Sequence, residues 1–171
     1  MPLSDEEIMR QLMSTFKAEA DDHLEILNER LLELEKGSAD DRQGLLEEVF
    51  REAHSLKGAA RAVDAGAIET TAHRVENVFA AAKRGELELK PSHFDLLYEG
   101  VDCMKAALSA VVEGADASDN SSLLAGLDRV VEASAGAPHE AVAAPVGASA
   151  FALALGAAFR LVARLREPRG L

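Results

Sequence analysis

Along the first 136 positions, apolar residues recur at steps of three or four with polar residues between them, the period of helices that bury one face. Ser4-Asp5-Glu6-Glu7 has the form of a capping box, with Ser4 as N-cap and Glu7 three residues later. From it run Ile8, Leu12, Phe16, Ala20, Leu24, Leu27, Leu31 and Leu34, and Gly37 supplies the stop. A second helix is predicted from Asp40 or Asp41, carrying Leu45, Leu46, Val49, Phe50, Ala53 and Leu56. A third spans about Ala67 to Arg84, with Ile68, Ala72, Val75, Phe79 and Ala82 inward and Gly85 past its end. Pro91-Ser92 opens a fourth, which buries Phe94, Leu97, Val101, Met104, Leu108 and Val111 and stops at Gly114. A shorter fifth runs from about Ser121 to Ala133. Amphipathic helices joined by short connections pack as antiparallel neighbours. The expected fold is all-α: an antiparallel up-down four-helix bundle with an additional fifth helix.

The pattern changes after residue 134. Residues 135–150 are rich in Ala, Gly and Pro with almost no charge and read as a linker. Residues 151–171 are first apolar, then carry Arg160, Arg164, Arg166 and Arg169. The uncharged stretch from Val146 to Phe159 is 14 residues, short of the roughly 20 that a membrane span needs. The organisation predicted is therefore a bundle over 1–134, a linker, and a low-complexity Ala-rich tail to which no role is given.

Composition narrows the function. The chain has 18 Lys and Arg against 30 Asp and Glu, a net charge of -12, and this argues against binding a phosphate backbone, so no nucleic-acid partner is expected. The single Cys103 excludes an internal disulfide framework and a multi-cysteine zinc site. The acidic start, without an apolar run behind it, is no secretory signal, and a cytoplasmic location is expected. No glycine-rich phosphate loop is present.

The chemistry lies where polar residues interrupt the second and third helices. His54 and Lys57 are i,i+3 neighbours on one helix face, and so are His73 and Glu76 on the next helix. Gly58 costs a helix interior about 1 kcal/mol relative to alanine, which makes sense if something must approach the backbone beside His54. If the two helices form an antiparallel hairpin, the His–Lys face opposes the His–Glu face. A carboxylate there can accept the Nδ1 proton of His54 and leave Nε2 free as a nucleophile. Lys57 can then neutralise phosphoryl oxygens.

The run Phe50-Arg51-Glu52-Ala53-His54-Ser55-Leu56-Lys57-Gly58-Ala59-Ala60 resembles the phosphoacceptor motif of histidine phosphotransfer (HPt) domains. It is most similar to the N-terminal HPt domain of CheA-type chemotaxis histidine kinases. The likeness continues through residues 69–78 and 83–87 and covers about residues 5–133. It implies that His54 is the phosphorylated histidine, that Glu76 holds its imidazole, that Lys57 and His73 complete the polar cluster, and that Gly58 gives partners room. It also implies a relay in a bacterial two-component pathway, from the ATP-binding domain of a histidine kinase to an aspartate of a response-regulator receiver domain. The module would carry no cofactor or metal and no ATP site, would not itself be an enzyme, and would be monomeric when isolated. The magnesium for both transfers would sit with the nucleotide and the receiver. Where many such domains have further glycine and aromatic residues, this chain has Ala59-Ala60-Arg61-Ala62-Val63-Asp64, which bears on partner choice. The further domains of a CheA kinase do not fit in the 35 residues after Gly136, so the chain reads either as a fragment or as a stand-alone module.

The pattern is open to two other classes. A carboxylate-bridged di-metal bundle uses Glu-x-x-His pairs from two helices, whereas here one pair runs in the order His73-x-x-Glu76. An HPt-like scaffold with an unphosphorylated histidine would only bind signalling partners. His23, His93 and His139 read as solvated surface residues, Cys103 as a small, partly buried one, and Met9, Met13 and Met104 as core filler.

Overall fold

The computed structural model describes residues 4–37 and 41–134. Five helices follow in order: α1 (Asp5–Lys36), α2 (Arg42–Ala62), α3 (Gly66–Lys83), α4 (Pro91–Glu113) and α5 (Ser121–Ser134). The linker predicted at 135–150, the Arg-rich tail at 151–171 and His139 lie outside the described residues.

Local chemistry sets the ends. At α1 both capping-box bonds form: the Glu7 N–H donates to Ser4 Oγ at 3.3 Å, and the Ser4 N–H donates to Glu7 Oε2 at 2.8 Å. Asp41 caps α2 by accepting from the Gly44 N–H at 2.9 Å. Pro91 occupies the first turn of α4, where a missing N–H costs nothing. Gly37 and Gly114 end α1 and α4 in the left-handed conformation, at φ 68° and 71°.

The helices are arranged as a ring: α1 packs on α2 and α4, and α3 on α2 and α4, while α5 lies against α3 and α4. Each helix turns one stripe into a shared core led by Phe16, Leu24, Leu27, Leu31, Leu56, Phe79, Leu97, Met104 and Leu108. Burying a side chain of this size contributes about 1.5–3 kcal/mol, so the stripes, more than propensity, hold the helices together. Ile8, Leu45, Phe50 and Val111 are only partly buried, although the apolar pattern includes them. Ile8 and Val111 lie in terminal turns, where the bundle opens to water. Leu45 and Phe50 flank the stripe of Leu46, Val49, Ala53 and Leu56, which is centred on the core.

The link that matters most for the site is the tight turn between α2 and α3. The Ala65 N–H reaches back to the Ala60 carbonyl at 2.9 Å, and Asp64 adopts φ 59°, a conformation that aspartate tolerates better than most residues. Val63 and Ala65 are buried, so the turn is fastened to the core. α2 and α3 thus run antiparallel with a fixed register, the condition under which the two polar faces meet. Ion pairs brace the seams: Arg30 with Glu48 between α1 and α2 at 2.7 Å, and Arg74 with Asp128 between α3 and α5 at 2.9 Å. Tyr98 on α4 donates to Glu35 on α1 at 2.8 Å; burial and that carboxylate push its pKa up to about 12. Among the described residues, no helix is long and apolar enough to cross a membrane.

Candidate functional site

His54 lies in the middle of α2, on the flank of the buried stripe, with 41% of its side chain exposed. Across the seam Glu76 projects from the middle of α3, and its side chain is 11% exposed. His54 Nδ1 and Glu76 Oε1 are 3.1 Å apart. An ionised carboxylate only accepts hydrogen bonds, so Nδ1 carries the proton and a neutral ring has its lone pair at Nε2. No hydrogen bond to Nε2 forms among the described residues.

The other carboxylate oxygen is taken by a cation. Lys57 Nζ is 2.6 Å from Glu76 Oε2, and Lys57 is 17% exposed. A glutamate this deeply set would be costly without a partner, and the ammonium compensates it. The two residues that α2 presents at i and i+3 thus grip the two oxygens of a single carboxylate on α3. Lys57 therefore faces Glu76 in this state and holds the carboxylate in place.

His73 stands one turn before Glu76 and is exposed. It makes no hydrogen bond to the described residues. Partial burial and the Lys57 charge lower its pKa, with Glu76 opposing. It flanks the cluster without closing it.

Gly58 sits on α2 one turn after His54. A Cβ built there would meet no atom of the described residues within 4 Å. Gly100 is the contrast: its Cβ would come within 3.1 Å of Val75 Cγ2, so close approach of α3 and α4 explains that glycine. Nothing inside the bundle explains Gly58. The empty space is on the outside, beside the imidazole.

Two features escaped the sequence. Phe50, part of the apolar pattern of α2, is half-buried against the core and also stacks on His54, with ring centroids 6.1 Å apart and planes 21° apart. Its spacing of four from His54 is the available signal. His23, expected as a solvated residue, instead joins its Nδ1 to Glu52 Oε2 at 2.6 Å across the α1–α2 seam, and its side chain is 20% exposed. Its partner is 29 residues away, so only the helix register reveals it. His93 is also engaged, accepting the Lys90 N–H at 3.2 Å as α4 begins. Cys103 is partly buried, as expected, and receives the Asn120 amide at 3.3 Å. Among the described residues, no group of three or more His, Cys, Asp and Glu side chains converges as a metal ion would require.

Comparison with known proteins places the chain among related sequences and folds. A family model for the Hpt domain matches residues 11–133. The chemotaxis protein CheA of Bacillus subtilis is 33% identical over 121 residues, which are 70% of this chain and 18% of that protein. CheA of Halobacterium salinarum is 32% identical over 103 residues, 60% of this chain and 15% of that protein. CheA of Salmonella typhimurium is 38% identical over 96 residues, 56% and 14% respectively. The chain thus spans less than a fifth of these relatives. Among solved structures, the phosphorylated P1 domain of CheA3 from R. sphaeroides, in complex with CheY6, superposes with a TM-score of 0.64 at 17% identity. That match covers 74% of this chain and 99% of the other, and it shows a shared fold.

Proposed function

This chain belongs to the Hpt domain family, and on that premise we propose that it is a phosphotransfer module of a chemotaxis-type two-component pathway, with His54 as its phosphoacceptor. The supporting observation is the clamped carboxylate: Glu76 takes His54 Nδ1 on one oxygen and Lys57 on the other, while Nε2 is left open.

The chemistry follows from that arrangement. The Nε2 lone pair attacks the γ-phosphorus of ATP held by a histidine kinase domain. The N–P bond forms as the bond from phosphorus to the β,γ-bridging oxygen breaks, and ADP departs with the electron pair. The imidazole becomes cationic, and Glu76 already accepts its Nδ1–H, so the charge develops against a fixed carboxylate. A receiver-domain aspartate then attacks phosphorus, the N–P bond breaks, and its electrons return to Nε2. Lys57 keeps Glu76 in position, and its ammonium, one turn from His54, can neutralise phosphoryl oxygens if it exchanges partners. His73 borders the approach, and Gly58 clears the surface beside it. In this scheme the module supplies a positioned nucleophile and an accessible face, acting as substrate and carrier in the cytoplasm rather than as an enzyme.

The test is incubation with a CheA-type kinase core and radiolabelled ATP, beside His54→Gln. We expect acid-labile label on the wild type, none on the variant, and discharge by a receiver domain. Equal labelling of the variant would overturn the assignment. A folded wild type that no kinase core labels would leave the scaffold reading in its place.

A further inference from the structure

The Nδ1–Glu76 hydrogen bond fixes one atom of the His54 ring. The ring is also bonded through Cβ, so what remains is rocking of its plane about the Cβ–Cγ bond, within the angular range that one hydrogen bond tolerates. Such rocking tips the Nε2 lone pair out of line, whereas in-line transfer needs it aimed at phosphorus. A second restraint is therefore expected, and one is present. On α2, Glu47, Phe50 and His54 share a face at i, i+3 and i+7. The Phe50 ring stacks on the imidazole, with centroids 6.1 Å and planes 21° apart. Lys83, in the last turn of α3, places Nζ 4.4 Å from the centre of the Phe50 ring. That ammonium is itself held by Glu47 Oε2 at 2.9 Å. The order of support runs from the Glu47–Lys83 ion pair to the phenyl ring to the imidazole.

We propose that Phe50, held by Lys83, is a positioning residue for phosphotransfer: its ring sets the plane of the His54 imidazole while Glu76 sets its edge. The inference rests on His54 being the phosphoacceptor. It goes beyond that assignment because Phe50 touches neither phosphoryl donor nor receiver in the role given to it. Hydrophobicity alone does not account for the residue, since its ring is only half-buried and two polar side chains from two helices are spent on it.

The test compares wild type, Phe50→Leu, Phe50→Tyr and Lys83→Gln in the full chain, each checked for helicity. With a CheA-type kinase core and ATP, Phe50→Leu is expected to lower kcat about two- to tenfold, the range an aromatic pair can supply, with KM unchanged. Phe50→Tyr, which keeps the ring, should restore the rate, and Lys83→Gln should show a smaller loss. Labelling by phosphoramidate, a small donor that the imidazole can attack in whatever orientation it presents, should be equal in all four. In proton spectra the ring-current shift of the His54 ring protons should vanish in Phe50→Leu and persist in Phe50→Tyr. An unchanged kcat in Phe50→Leu overturns the proposal. So does a rise in KM alone, which marks a docking contact, or a parallel loss with phosphoramidate, which marks general damage. A wild type that the kinase does not label overturns the relay reading itself, and the positioning role with it.

Discussion

Two histidines in this molecule meet a glutamate across a helix seam through Nδ1, and their surroundings are opposite in nearly every other respect. His54 pairs with Glu76 between α2 and α3, and His23 pairs with Glu52 between α1 and α2. One turn before His54 is Phe50, which stacks on it; one turn before His23 is Glu19, whose Oε1 lies 3.8 Å from His23 Nε2. Three residues after His54 is Lys57, which holds the shared carboxylate, and three after His23 is Ile26, an exposed apolar residue. Four residues after them stand Gly58, with open space beside it, and Leu27, wholly buried in the core. The His23 ring therefore has carboxylates at both nitrogens. Chiefly the Glu52 hydrogen bond, against burial, raises its pKa, so it favours the cation, which has no lone pair. The His54 ring has a carboxylate at one nitrogen and, among the described residues, no hydrogen-bond partner at the other. A His–Glu pair is thus not by itself a nucleophile; what occupies the other nitrogen and the adjacent turns decides whether it serves chemistry or stability.

Removing Glu76 should break the comparison most. Glu76→Ala takes the acceptor from His54 and leaves the Lys57 ammonium, 17% exposed, without its partner. A hydrogen bond to a charged group contributes about 1.5–3 kcal/mol, which converts to about a 10- to 100-fold slower labelling by the kinase core. Labelling should remain measurable, because the nucleophile is still present. An unchanged initial rate would remove Glu76 from the mechanism. Urea unfolding should show a loss of about 1–3 kcal/mol from the stranded lysine. Glu76→Gln, which can still accept from Nδ1, should recover part of the rate.

How far the sequence anticipates this contrast depends on which residues one follows. The helices were legible because caps and apolar steps are local: Ser4, Asp41, Pro91, Gly37 and Gly114 all act within a turn of where they stand. The i,i+3 pairs His54–Lys57 and His73–Glu76 were legible for the same reason. That Glu76 rather than another carboxylate meets His54 depends on the register of the hairpin, which the Ala60–Ala65 turn sets in three dimensions. His23 was misread because its partner lies on another helix, and a polar residue outside a leucine stripe looks solvated when the neighbouring helix is unseen. The stacking of Phe50 on His54 was hidden because the stripe's centre falls on Val49 and Ala53, a rotation of the helix too small for a count of apolar positions to resolve. The docking of α5 was equally hidden: buried Thr71 accepts from the Asn120 side chain at 2.8 Å, a contact spanning 49 residues.

The stabilising member of the contrast can be tested through pH. His23 has a pKa raised above the 6.5 of an unfolded chain, so the native state binds more protons in the interval between the two values. Its contribution is fully present below about pH 6.5 and is lost as pH rises through the higher folded value. Wild type should therefore exceed His23→Gln by about 1 kcal/mol under mildly acidic conditions, a charged hydrogen bond discounted for partial exposure. The difference should shrink steadily towards alkaline pH in parallel urea titrations. A gap that is flat across pH would mean that the pair is held by packing rather than by charge. Kinase labelling of His23→Gln should match wild type, since its ring offers no open nitrogen.

Gly58→Ala should give the smallest change in stability, and it is of unusual sign. Alanine is favoured over glycine in a helix interior by about 0.5–1 kcal/mol, and the added methyl meets nothing among the described residues within 4 Å. Thermal unfolding should therefore move upward. If the space beside His54 exists for partners, the same methyl stands in the way of any backbone or side chain approaching the imidazole. Transfer from the kinase core and discharge by a receiver should both slow, while labelling by phosphoramidate stays at the wild-type rate because that donor is small. A variant that is more stable and slower only with protein partners would locate the cost of Gly58 in recognition. One that is more stable and equally fast with every donor would mean that the clearance beside His54 is unused, and the contrast between the two histidines would then rest on their nitrogens and on the Phe50 and Lys57 side chains beside His54.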